Sequence, residues 1–199
     1  MANKTAAKKP IAGVALAMIL SVVAVEGGYV YHPNDPGGET NKGVTKKVAV
    51  QHGYAGPMRT IPDTVVHSIY YDSYLVAPGY VPLIAIDGAV TEELFDTTVN
   101  MGPARPGRWF QAATNSICGT SLVVDGKVGP ATVAAYRGCQ ARIAPAALCT
   151  AMLDRLDAAQ RAEYDRLVRT NTKLKVFYRG WINKRIGNVD RAKCRAAAA

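Results

Sequence analysis

No cysteine precedes Cys118 in this 199-residue chain; the four present, Cys118, Cys139, Cys149 and Cys194, all lie in the C-terminal half. None forms a Cys-x-x-Cys pair, which excludes zinc-finger spacing. An even count in an exported protein predicts two disulfides, with three pairings open. Histidine is scarce: His32, His52 and His67 show no metal-ligand spacing and read as surface or structural residues. Nothing in the sequence calls for a metal ion or a cofactor. Strand signals are weak apart from a possible short hairpin near residues 30–45, so the class is mainly α. No repeat of 20–50 residues is present, which excludes a solenoid. No linker rich in Ser or Gly divides the chain, which points to one two-lobed unit. The net charge is +9, yet no RNA- or DNA-binding signature accompanies it. Nucleic acid is therefore set aside, and an anionic membrane surface or an acidic wall polymer remains as a partner.

Charge is also missing from Ile11 to Val25, although Lys4, Lys8 and Lys9 stand just before that run. This is the charged and then apolar pattern of an export signal, with the positive flank on the cytoplasmic side. As a helix the run would span roughly 22 Å, short of the about 30 Å of a bilayer's hydrocarbon. Many of its residues are small: Ala12, Gly13, Ala15, Ala17, Ser21 and Ala24. Three readings stay open. The segment is a signal peptide cut after Ala24, a buried helix of the folded protein, or a weak membrane anchor that is later released.

The residues after this run carry the chemistry. Glu26-Gly27-Gly28-Tyr29 is succeeded by Asp35-Pro36-Gly37-Gly38, then Thr40, then Gly43-Val44-Thr45. These residues at these spacings resemble the start of the glycoside hydrolase 108 family of N-acetylmuramidases. Phe95-Asp96-Thr97-Thr98-Val99-Asn100-Met101-Gly102-Pro103 and Trp109-Phe110-Gln111 resemble that family's later helices. Val124-Asp125-Gly126-Lys127-Val128-Gly129-Pro130-Ala131-Thr132 is similar to a turn of peptidoglycan-associated modules. Phe177 to Arg185 resembles the closing motif of the peptidoglycan-binding region that often follows this family. Tyr74 is followed by Leu75 where the family has an aromatic pair, so the substrate groove is expected to differ there.

The resemblance implies a mainly α, lysozyme-like two-lobed helical fold with at most a small β-hairpin. It divides the chain into an N-terminal segment (1–25), a catalytic lobe (26–105) and a C-terminal helical lobe (106–195). It implies a monomeric phage endolysin that cuts the β-1,4 bond between N-acetylmuramic acid and N-acetylglucosamine in peptidoglycan. Residues 11–25 would tether it transiently to the inner membrane, as in signal-anchor-release endolysins, before it acts in the periplasm. A lytic transglycosylase and a non-enzymatic, membrane-anchored wall-binding protein are the alternatives.

Glycoside cleavage needs a protonated carboxylic acid beside the leaving oxygen and usually a second carboxylate near the anomeric carbon. The resemblance gives the essential role to Glu26, which follows an apolar segment whose packing would favour the protonated form. Gly27 and Gly28 leave room for a sugar ring. Asp35 is the first candidate for the second carboxylate, with Glu39 the runner-up. Thr40 or Thr45 is a candidate for positioning the water in an inverting displacement. Tyr29, Glu39 and Asn41 are candidate substrate contacts, and Tyr31 either lines a subsite or packs.

Elsewhere the pattern predicts helices over 44–52 (opening after Thr45), 63–74, 83–100, 108–116, 130–136 and 145–170. In the last of these Leu148, Met152, Leu156, Tyr164, Leu167 and Val168 lie near one face. Gly102-Pro103 and Pro106-Gly107 predict a loop. Trp109 and Trp181 read as packing residues before sugar-stacking ones.

Overall fold

A computed structural model describes residues 11–24, 27–31 and 38–196. Of the described residues 68% are helical, and the one sheet among them is a two-stranded antiparallel hairpin. It divides into two compact units, residues 1–72 and 73–199.

In the first unit α1 (Gly13–Val23) buries Ala15, Met18, Ile19 and Val22, an i, i+4, i+7 stripe, and packs on α3 (Asp63–Tyr71). Val66, Ile69 and Tyr70 supply the buried face of α3, and Asp63 sits in its first turn, where the helix dipole favours a carboxylate. Between them lie β1 (Thr40–Asn41), β2 (Val44–Thr45) and α2 (Lys46–Gln51). The hairpin turn places Lys42 at φ 51° and Gly43 at φ 74°, the left-handed pair that a two-residue hairpin loop needs. The Thr45 side chain caps α2 by accepting from the Val48 amide at 3.3 Å, so the helix opens after Thr45 as its sequence predicts. Among the described residues no helix is long and apolar enough to cross a membrane.

The second unit is a helical bundle of α4 (Gly88–Met101), α5 (Ala104–Cys118), α6 (Pro130–Cys139), α7 (Pro145–Thr170), α8 (Lys175–Arg185) and α9 (Ala192–Ala196). α4 is its central element, with Val90, Thr91, Glu93, Leu94, Phe95, Thr97 and Thr98 almost wholly buried. It starts at Asp87, whose Oδ1 accepts from the Val90 amide and whose Oδ2 accepts from the Tyr136 hydroxyl at 2.7 Å. Burial pushes the Asp87 carboxyl above its ordinary range, and it pushes the Tyr136 hydroxyl up as well. The 26-residue α7 matches its predicted span and buries Leu148, Met152, Leu156 and Tyr164 against α4 and α5. Leu167 and Val168 of the same stripe are only half-buried. The predicted loop at Pro106-Gly107 is instead the first turn of α5, where proline is well tolerated and the pair is buried.

Two disulfides close the bundle: Cys118–Cys139 joins the ends of α5 and α6, and Cys149–Cys194 joins α7 to α9. They span 21 and 45 residues; in the chain-entropy picture they remove about 3 and about 4 kcal/mol of unfolded-state freedom. The Asp125-Gly126 turn is tied to α5 through Gln111. The Gln111 side chain donates to Asp125 Oδ1 at 2.8 Å and accepts from the Gly126 amide at 2.7 Å. A Cβ on Gly107 would stand 2.3 Å from the Gly126 carbonyl oxygen, so α5 and this turn meet backbone to backbone. The motif that resembles peptidoglycan-associated modules thus has a structural use here.

Candidate active site

Glu26 and Asp35, with His32, lie outside the described residues. The other sequence candidates are gathered by the hairpin. Thr40 stands opposite Thr45 and Asn41 opposite Val44. Alternation along the strands therefore sets both threonines, half-buried, on one face and sends Asn41 and Val44 inward. Side chains directly opposite in this way have Cβ atoms about 5 Å apart.

The segment after Glu26 is pinned to this hairpin. Val30 exchanges two backbone hydrogen bonds with Thr40, at 2.8 and 2.9 Å, and the Lys42 amide donates to the Gly27 carbonyl at 3.1 Å. Gly27 and Gly28 are exposed, and a Cβ added to either would meet nothing within 4 Å. The backbone there is open to a bulky ligand.

Tyr29 is held from two sides. Its hydroxyl donates to Glu39 Oε1 at 2.8 Å, and the Arg59 guanidinium lies 4.2 Å from its ring centroid. The bond to Glu39 raises the tyrosine pKa first, followed by desolvation. Glu39 is placed further by its own carbonyl, which accepts from the Lys46 amide at 2.8 Å. Asn41 is 5% exposed, and its amide donates to the carbonyls of Met58 at 2.8 Å and Arg59 at 3.3 Å. It fixes the hairpin to the segment that carries Arg59. Tyr31 is 57% exposed and belongs to the surface. Thr45 already serves α2 as its cap, so its hydroxyl oxygen is oriented by the helix it starts.

Sequence reasoning missed the supports of this cluster. Arg59 stacks on Tyr29, Asp63 pairs with Lys42, and the Tyr70 hydroxyl donates to the Lys42 carbonyl at 3.1 Å. All three come from residues 17 or more positions away, with no local motif to announce them.

A family described as Glycosyl hydrolase 108 matches residues 19–102, and one described as Predicted Peptidoglycan domain matches residues 105–186. Residues 19–102 are a glycosyl hydrolase 108 region. Among solved structures, Brucella abortus SagA is similar at 25% identity and a TM-score of 0.65, over 94% of this chain and 96% of that one. No curated protein matches the sequence. With the two regions together, the protein is a glycoside hydrolase of the muramidase type that acts on peptidoglycan. Its hairpin cluster lies inside the matched hydrolase region, and α5 to α8 lie almost wholly inside the peptidoglycan region.

A second group of ionisable residues lies in the bundle, none of them a sequence candidate for the site. Glu93 is 1% exposed, accepts from the Thr97 hydroxyl at 3.0 Å through Oε1, and has no partner for Oε2 among the described residues. Burial, and then the charge of Asp157, push its carboxyl up to about 8. Asp96 is buried beside it and pairs with Arg185 at 2.6 Å and Asn188 at 3.1 Å. Asp157 pairs with Arg191 at 2.5 Å and accepts from the Gly187 amide at 3.0 Å. These contacts lock the C-terminal segment onto α4 and α7, a structural task.

Proposed function

We propose that this protein hydrolyses the β-1,4 bond between N-acetylmuramic acid and N-acetylglucosamine, with Glu26 as the general acid. The observation that carries the reading is the hydrogen bond from the Lys42 amide to the Gly27 carbonyl at 3.1 Å. It fixes the residue next to Glu26 to the turn between Thr40 and Thr45. In the reaction, the Glu26 carboxyl gives its proton to the glycosidic oxygen as the bond from that oxygen to C1 of N-acetylmuramic acid breaks. A water attacks C1 and loses its proton to the second carboxylate, Asp35, with Glu39 the runner-up. Thr40 or Thr45 orients that water. Glu39 already receives the Tyr29 hydroxyl, which favours Asp35 for the base.

The test is mass spectrometry of purified peptidoglycan digested by the wild type and by Glu26→Gln. Reducing-end N-acetylmuramic acid is expected from the wild type alone. Anhydro-muramic products would replace the reading with a lytic transglycosylase, and equal digestion by Glu26→Gln would remove Glu26 from the role.

The biological setting proposed is phage-directed lysis of a Gram-negative host, with residues 11–25 as a transient inner-membrane tether before action in the periplasm. The supporting observation is α1 itself. It carries no charged residue, and Val14 and Leu20 remain 55% and 48% exposed on the side away from its packing. Such a helix has a face for the fold and another that lipid would tolerate.

A further inference from the structure

The formal charge of +9 is confined to one end of the chain. Residues 166–195 hold ten Lys and Arg against one carboxylate, Asp190, while the rest carries fourteen basic and fourteen acidic residues. Four of the ten cations hold the fold: Arg166 pairs with Glu163, Arg185 with Asp96, Arg191 with Asp154 and Asp157, and Lys193 with Glu92. The three other cations of α8, Lys175, Arg179 and Lys184, are exposed and, among the described residues, enter no ion pair.

Three contacts fix the inner side of α8. The Tyr178 hydroxyl donates to Asp165 Oδ1 at 2.6 Å, Trp181 stacks on Tyr164 at 5.0 Å and 20°, and Arg185 pairs with Asp96 at 2.6 Å. These residues and Ile182 are half-buried. At about 100° per residue, the opposite half of the helix presents Arg179, Asn183, Val176, Gly180 and Lys184. Lys175 stands at one margin of that half and Phe177 at the other. All seven are exposed, Val176 at 77% and Phe177 at 55%. The outer half of α8 therefore carries three cations, two apolar side chains and no carboxylate.

We propose that the outer half of α8 docks on an anionic phospholipid surface, with Lys175, Arg179 and Lys184 among the headgroup phosphates and Val176 at the headgroup boundary. Cations spread over the convex side of a helix match charge that is itself spread over a surface, and such a match needs no built pocket. The boundary of a bilayer also takes up Val176 and Phe177, which a hydrated polyanion would leave in water. With 11 residues α8 is too short to cross, so it would lie along the surface. Such a contact requires neither the muramidase activity nor the tether proposed for residues 11–25. The tether would be held by apolar burial. α8 would be held by charge, and its hold would weaken as salt shortens the screening length from about 10 Å at 0.1 M to about 3 Å at 1 M.

The test is co-sedimentation of the full chain with vesicles of phosphatidylglycerol mixed into phosphatidylcholine, and with vesicles of phosphatidylcholine alone. The wild type is compared with the triple variant Lys175→Gln/Arg179→Gln/Lys184→Gln and with the charge-keeping variant Lys175→Arg/Lys184→Arg. Residues 11–25 are the same in all three, so a difference between them reports α8. Glutamine matches lysine and arginine in helix propensity, and a melting curve checks the fold. The wild type is expected to prefer the anionic vesicles at low salt and to lose that preference near 1 M salt. The triple variant is expected to bind the anionic vesicles about a hundredfold more weakly, a loss of about 2.8 kcal/mol. The charge-keeping variant is expected to bind them like the wild type. A wild type that binds both vesicles equally would overturn the proposal, as would a preference that persists near 1 M salt. So would a triple variant that keeps the anionic vesicles and loses purified sacculi, since the cations would then serve the wall.

Discussion

Glu92 and Glu93 are adjacent in sequence and opposite in fate. Glu92 pairs with Lys193 at 2.6 Å near the surface, whereas Glu93 is enclosed. Nothing in the pair itself says which one turns inward; the rotation of α4 is set by Val90, Leu94 and Phe95, and Glu93 goes with them. Burial sets the energetic sign. In the unfolded chain Glu93 titrates at its ordinary carboxylate value, and in the folded protein at about 8. Between those values the folded state holds a proton that the unfolded state has released, so stability falls as pH rises. The slope for one such group is about 1.4 kcal/mol per pH unit. Glu93→Gln removes the titration and keeps an acceptor for the Thr97 hydroxyl. The stability of the wild type relative to Glu93→Gln is therefore expected to decline steadily from about pH 5 to about pH 8 and to level off above it. Denaturant melts of both proteins across that range check this, and parallel pH dependences would show that Glu93 stays ionised inside the fold.

At the scale of elements, the hairpin shows what the sequence could carry. A short hairpin near residues 30–45 and a helix opening after Thr45 were expected; the register of Thr40 against Thr45 and the Thr45 cap came from the structure. The identity of what grips the hairpin did not follow, because Arg59, Asp63 and Tyr70 reach it through tertiary packing. α5 is a related case: Pro106-Gly107 looks like punctuation, but proline in a first turn and a glycine that lets the Gly126 carbonyl approach are both helix-compatible. The double use of Thr45 can be separated experimentally. Thr45→Ala removes the cap and is expected to cost about 1 kcal/mol of stability, while Thr45→Ser keeps a capping oxygen and costs little. If Thr45 also orients the attacking water, Thr45→Ala lowers kcat on peptidoglycan well beyond the stability loss and Thr45→Ser retains most of it. Equal kcat in both variants would confine Thr45 to the cap and leave Thr40 as the water-positioning candidate.

For the whole molecule, the mainly helical class, the two disulfides and the family were legible, because each rests on residue counts or on spacings within about twenty positions. The pairing of the cysteines was not, since Cys149–Cys194 depends on how α9 folds back onto α7. Nor did the sequence choose between a packed and a membrane-borne N-terminal helix. α1 packs on α3 through Ala15, Met18, Ile19 and Val22, which accounts for one face and leaves Val14 and Leu20 outward. If the proposed tether exists, those outward residues serve lipid alone, and the two states can be pulled apart at Leu20. Leu20→Lys places a charge where the folded protein already meets water, a change that surface positions absorb within about 0.5 kcal/mol. In a bilayer the same change turns a favourable contribution into a penalty, a difference of about 3 kcal/mol near mid-membrane. An 11-residue helix has little insertion energy to lose. Leu20→Lys is therefore expected to cut the membrane-pelleted fraction of the expressed protein about tenfold or more, with melting temperature and peptidoglycan hydrolysis in vitro unchanged. Ile19→Lys, whose side chain is fully buried, should lower both. Leu20→Lys that still pellets with membranes like the wild type would mean that the apolar outer face of α1 never meets lipid, and the helix would then be a core element and nothing more.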